Sequence, residues 1–128
     1  MTRYYVKRNT TSNVLRETEQ MARQDEDLDD FGRFAEPALM ILISLADGPK
    51  HGYAMTDDIE QVAGVRFGPG TLYGAITRLE GRGLIQRLDS DDRRNPYRLT
   101  ALGERALRAR LASLQAIARV GQRRLSSA

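Results

Sequence analysis

The stretch Gly68–Leu84, GPGTLYGAITRLEGRGL, decides how this chain is read. Gly68-Pro69-Gly70 makes a sharp re-entry turn, and a helix over 69–82 follows in which Leu72, Ala75, Ile76 and Leu79 recur on one side. Thr71, Tyr73, Gly74, Thr77 and Arg78 are left on the other side or its flank, with Thr71 placed to cap the helix. A short helix with an apolar back and a polar, glycine-lightened front needs a supporting scaffold behind it and something to touch ahead of it.

The flanking sequence supplies the scaffold. Upstream, Pro37 opens EPALMILISLADG, where Leu39, Leu42, Ile43 and Ala46 fall at helical spacing before Gly48-Pro49 ends the segment. Next, KHGYAMTDDIEQVAG repeats apolar residues at Met55, Ile59 and Val62 against Asp57, Asp58 and Glu60, and Gly64 is a suitable stop. Downstream, LIQRLD and PYRLT read as two short strands around the polar turn SDDRRN, with Tyr97 and Leu99 on one face and Arg98 on the other. Pro96 fits a short edge strand, which tolerates a missing amide donor. Thr100 is placed to cap a last helix of about 25 residues, in which Leu107, Leu111, Leu114, Ala118, Gly121 and Leu125 recur at four-three spacing. Such a seam requires a partner surface.

Composition narrows the function. The chain has 128 residues, 41% hydrophobic and 29% charged, enough for one modest core with an appendage. No apolar run approaches the roughly 18 residues of a membrane span, and the Met1 end lacks the apolar core of a signal peptide, so the expected location is cytoplasmic with no membrane partner. Zero cysteines remove disulfides, thiol catalysis and cysteine-ligated zinc. GPGT lacks the Gly-Lys-Ser/Thr ending of a phosphate-binding P-loop. Asp89, Asp91 and Asp92 imitate a calcium loop, but Arg94 stands where its glycine belongs and Thr100 where its closing glutamate belongs. His51 is the only histidine, with no serine or acid at catalytic spacing. No enzyme, metal or cofactor is expected. Net charge is only +3, but it is unevenly spread: seven acids against Arg23 over 17–30, then nine arginines against Glu104 from Arg93 onward. An arginine-rich second half suits a polyanion.

Three short helices followed by a basic-tipped hairpin is the order of a winged helix-turn-helix, a mainly α fold with a small β-hairpin. In that arrangement helix 69–82 enters the major groove of double-stranded DNA, and Thr71, Tyr73, Thr77 and Arg78 are its candidate contacts. Arg93 and Arg94 at the tip of the wing 84–99 lie along the backbone or in the minor groove, and Lys50 and His51 at the start of the second helix reach phosphate. The last helix then forms a homodimer through Leu107, Leu111, Leu114, Ala118 and Leu125, presenting two recognition helices to an inverted repeat with half-sites roughly 34 to 36 Å apart. The chain divides into an N-terminal extension over 1–35, partly helical or loose, a DNA-binding domain over 36–99 and a dimerisation helix over 100–128. The alternative is a winged helix used only to bind protein, since the fold alone does not guarantee DNA binding.

The blocks HGYAMTDDI, GPGTLYGAITRLEGRGLI and RRNPYRLTALGERAL resemble, in order and spacing, the three signature blocks of the PadR family of bacterial transcriptional regulators. The resemblance spans about Glu36 to Leu111 and most looks like the shorter branch with a single C-terminal helix. It implies a DNA-binding winged helix, homodimerisation and repression relieved by a small-molecule effector of unknown identity. His51-Gly52-Tyr53 then opens the second helix, Gly70-Thr71-Leu72-Tyr73 the recognition helix, and Tyr97-Arg98-Leu99-Thr100 closes the wing. Two features depart from the family pattern: Asn95-Pro96 before Tyr97, where a basic residue and tyrosine are usual, and the long segment 1–35.

Overall fold

The computed structural model describes residues 36–91 and 94–127. The expectations for the extension 1–35 and for Arg93 lie outside them. Four helices and one hairpin follow in order: α1 Pro37–Leu45, α2 Gly52–Ala63, α3 Pro69–Gly81, β1 Ile85–Arg87, β2 Tyr97–Leu99 and α4 Ala101–Ser127. The strands pair antiparallel, with Ile85 opposite Leu99 and Arg87 opposite Tyr97. This is the mainly helical architecture with a small hairpin that the sequence implies.

Proline at the first turn starts both α1 and α3, where its missing N–H is no loss. Gly68, not Thr71, occupies the N-cap of α3, so the threonine falls in the first turn and makes no cap. The far end of α3 is closed by a paired-hydrogen-bond stop: Leu84 N–H donates to the Leu79 carbonyl (3.0 Å) and Gly83 N–H to that of Glu80 (3.0 Å). Gly83 takes φ +75°, the left-handed conformation this stop requires.

Ile41, Leu45, Met55, Ile59, Leu72, Ile76, Leu79, Ile85 and Tyr97 form one core between the three short helices and the wing. Burying each large aliphatic side chain contributes about 1.5 to 3 kcal/mol. The α3 stripe is as the spacing predicts, with Leu72, Ala75, Ile76 and Leu79 all buried. Two other stripes are corrected. In α1, Ile41, Leu42, Ser44 and Leu45 are buried while Ala46, at the C-cap, is exposed; with Ser44 the one polar residue of the helix, its sequence carries no periodic mark of the inner face. In α2, Val62 is 63% exposed and Ala63 packs on the core instead, since Met55 and Ile59 continue at four-residue spacing. Lys50 is likewise not helical: its backbone pairs with Tyr97, N–H to carbonyl in both directions (3.1 and 2.9 Å), adding a one-residue third strand to the wing.

The junction between wing and α4 is the tightest in the structure. Thr100 caps α4 as expected, its hydroxyl oxygen accepting from Gly103 N–H (3.0 Å). The same hydroxyl donates to the Gly83 carbonyl (2.7 Å), and Thr100 N–H donates to that of Leu84 (3.2 Å). A Cβ on Gly103 would stand 2.9 Å from Leu84 C and from Leu99 Cδ1, and nearer still to the Leu84 carbonyl oxygen. Leu107, one turn further along α4, is buried in the same core.

Because the atom that a side chain at 103 would meet is backbone, Gly103→Ala is expected to destabilise by about 3 kcal/mol or more, against about 1 to 2 kcal/mol for Thr100→Ala. Urea unfolding at unchanged m reads both. A Gly103→Ala protein as stable as the parent would mean that α4 does not sit against the wing in this way.

Candidate nucleic-acid interface

The exposed side of α3 carries Thr71, Tyr73, Thr77 and Arg78, with Gly70 and Gly74 keeping the surface low between them. The four sequence-selected residues of this helix therefore lie together on its solvent face. Their chemistry differs. Thr77 Oγ1 donates back to the Tyr73 carbonyl (2.9 Å), which leaves the hydroxyl free to accept. Arg78 has no ion-pair partner among the described residues and lies back along the helix, its Nη1 3.5 Å from where a Gly74 side chain would begin. Five donors on a free guanidinium suit a phosphate or a guanine edge.

Tyr73 is held rather than free. It is 49% exposed, but the end of its ring occupies the space a side chain at position 52 would need: a Cβ there would be 2.8 Å from Tyr73 Cζ and nearer still to its hydroxyl. Gly52, the first residue of α2, is buried beneath it. The two glycine-tyrosine blocks of the sequence are thus the two halves of one steric contact, joining α2 to α3. Sequence spacing showed each block but not their meeting.

The second helix contributes less charge than its sequence suggests. Lys50 turns its ammonium toward the Ser44 carbonyl and the Asp47 carboxylate, so a contact with phosphate would have to break both. That ammonium holds the exposed Asp47 carboxyl below its ordinary range; the pair's stabilisation is present above the ordinary carboxylate pKa and is lost as pH falls through the lowered one. His51 stands at the N-cap of α2, and its Nδ1 is buried with no hydrogen-bond partner among the described residues. Arg66 pairs with Asp57 (3.0 Å) and Glu60 (3.1 Å), partly offsetting the acidic face of α2.

On the wing, Arg94 is exposed and borders a cleft of about 260 Å³ that also reaches His51, Gly52 and Tyr73. Arg87, which sequence reasoning passed over as an ordinary strand residue, borders the same cleft. Its guanidinium lies over the buried Tyr97 ring, 5.6 Å from the centroid, and 3.9 Å from Glu80. Tyr97 first, and then Glu80, hold it still more firmly in its charged form. Alternation along β1 puts Arg87 on the same face as the buried Ile85, yet it is exposed, and only the fold brings it over the Tyr97 ring and beside α2.

Along α4, Leu111, Leu114 and Leu125 are exposed, as are Ile117 and Val120, which the four-three seam omitted. Leu107, assigned to that seam, is 5% exposed and is spent within this chain's own core. The exposed apolar stripe of α4 therefore starts one turn later than its spacing indicated. Among the described residues no helix is long and apolar enough to cross a membrane.

Residues 41–109 match the family model of the transcriptional regulator PadR-like family. The chain is 38% identical over 84 residues to a transcriptional regulator of Mycobacterium tuberculosis, an overlap of 63% of this chain and 78% of that protein. It is 47% identical over 75 residues to an uncharacterized protein of a Streptomyces fradiae transposon; that match takes in 59% of this chain but spans only 22% of the longer relative. Its fold is similar to the crystal structure of a PadR family transcription regulator from Clostridium difficile, with TM-score 0.65 at 23% identity over 71% of this chain and 99% of that one.

The contact between Gly52 and Tyr73 is open to a double-mutant cycle. Gly52→Ala is expected to destabilise by about 1 to 3 kcal/mol, and much less in a Tyr73→Ala background where the ring is gone. Strict additivity in chemical unfolding would show that the two residues do not touch.

Proposed function

The chain belongs to the PadR-like family of transcriptional regulators, and from that premise we propose that it binds double-stranded DNA as a homodimeric repressor. The observation that carries the reading is the two-sidedness of α3: Leu72, Ala75, Ile76 and Leu79 anchor it, while Thr71, Tyr73, Thr77 and Arg78 stand together on the exposed side. In a major groove that row meets base edges and the flanking phosphates, with the threonine hydroxyls and the guanidinium as the sequence-reading groups. Arg94 on the wing follows the adjacent backbone.

Dimerisation rests on the exposed apolar residues of α4. Leu111, Leu114, Ala118 and Leu125, joined by Ile117, form a face that a second copy of α4 covers, and Gly121 permits a close approach. The twofold axis then sets two copies of α3 on an inverted repeat. Relief of repression by a small molecule is part of the same proposal, and the size of one cleft supports it. A cleft of about 610 Å³ opens between Leu45 at the end of α1, Leu99 of the wing and Leu107 and Leu111 of α4, a size that suits such a ligand. Occupying it would press on the junction that sets the angle between wing and α4.

Selection from random duplexes at two salt concentrations tests the reading. An enriched inverted repeat, bound with an affinity that falls steeply with salt, is the expected result; recovery of no sequence would remove the regulator reading for this chain. Leu114→Glu is expected to yield monomers in sedimentation and to weaken binding to the full repeat far more than to a half-site. A dimer that survives this change would place the interface elsewhere.

A further inference from the structure

The cleft between α2, α3 and the wing adjoins the row of candidates on α3 and shares Tyr73 with it. At about 260 Å³ it falls below the usual range for a small-molecule pocket, so it takes a group rather than a whole ligand. Its lining contains two guanidiniums, Arg87 and Arg94, and no carboxylate. Three tyrosines line it: Tyr97 is buried, while Tyr53 and Tyr73 are exposed and neither of their hydroxyls has a hydrogen-bond partner among the described residues. Exposed phenols beside arginine forks, one of them held only loosely by a carboxylate 3.9 Å away, are a donor set that recognises a phosphate.

We propose that this cleft clamps one phosphate of the DNA backbone, with Arg87 and Arg94 donating from the wing and Tyr53 and Tyr73 from α2 and α3. The proposal rests on the DNA-binding reading and adds to it a contact that fixes register without reading sequence. The site is pre-formed. Arg87 is already stacked over the Tyr97 ring, which removes much of the rotamer entropy that a free surface arginine loses on binding. Tyr73 is seated over Gly52, so its hydroxyl is fixed at the same place. Since the cleft joins three elements, one phosphate held there sets the wing relative to α3 and makes the whole surface dock as a unit. Glu80 opposes the clamp: 3.9 Å from Arg87, it competes with phosphate for the guanidinium and repels it.

The test is the salt dependence of binding by the full-length protein to its selected duplex and to a random duplex. Arg87→Gln/Arg94→Gln is expected to lower the slope of log K against log salt by about 0.9 per half-site, the value for one phosphate, and to weaken both duplexes roughly tenfold while preserving the preference between them. Glu80→Gln is expected to tighten both severalfold, and to do so much less in the Arg87→Gln background. Arg94→Gln alone, at an exposed position, provides the same readout in lesser degree should the double variant unfold by circular dichroism. An unchanged slope with lost preference would make the arginines base readers, and no change in either would leave the cleft without DNA. Calorimetric binding of inorganic phosphate to the free protein, abolished by Arg87→Gln while the salt slope stays put, would make it a free-anion site. Each of these three results overturns the clamp. Failure of the unmodified protein to bind any duplex is a separate outcome and overturns the DNA reading itself.

Discussion

The packing of Gly103 against the Leu84 carbonyl is the constraint on which the rest depends. Only a residue without a side chain lets the first turn of α4 lie on the root of β1, and the Thr100 hydroxyl stitches the same place by accepting from α4 and donating to Gly83. Gly83 is in turn the residue whose left-handed backbone ends α3. Four consecutive features, the end of α3, the start of the wing, its return strand and the long helix, therefore share one small knot of backbone. A change in the angle of α4 is transmitted to the wing and the end of α3 with little slack, because close-packed backbone does not deform continuously.

A second, lighter contact completes the frame on the other side. Tyr73 over Gly52 ties the entrance of α3 to the entrance of α2, and the Lys50–Tyr97 pairing ties the approach to α2 to the wing. With both ends of α3 fixed, its polar face is presented rigidly, and rigidity is what permits a handful of side chains to discriminate among base edges. The arginines follow a similar division. Arg66, Arg108 and Arg110 are engaged with carboxylates, at 3.0 Å from Asp57, 2.7 Å from Glu104 and 3.2 Å from Glu36. Arg78 on α3 and Arg94 on the wing have no such partner among the described residues, while Arg87, on the same surface as Arg94, lies 3.9 Å from Glu80.

Much of this was legible because period and punctuation agreed. In α3 the apolar residues fall at helical spacing in an otherwise polar segment, so the inward face had one solution; Pro69 and Gly64 marked boundaries for reasons of backbone geometry that hold wherever the chain goes. The hairpin was legible from alternation around a polar turn. Where the signal was degenerate, the reading slipped. In α1 every residue but the buried Ser44 is apolar, which leaves no periodic mark of the inner face, and at Val62 two helical spacings competed until the core chose Ala63. Lys50 and Arg87 failed for a different reason: a one-residue β-bridge and a stacked guanidinium are defined by partners 47 and 10 residues away, at Tyr97 in both cases, and nothing in their own neighbourhood announces them.

The sequence by itself determined the element order, the buried face of α3, the residues on its outer face and the apolar stripe of α4, because each is written in local spacing that any fold must respect. Only the tertiary structure decided that Leu107 belongs to the core and not to the stripe's interface, that the Lys50 ammonium is turned to Ser44 and Asp47, and that Arg87, Arg94, Tyr53 and Tyr73 surround one cleft. Those facts depend on which surfaces meet, and a meeting between residues far apart in the chain is fixed by packing and steric exclusion, of which Gly52 and Gly103 are the plainest traces.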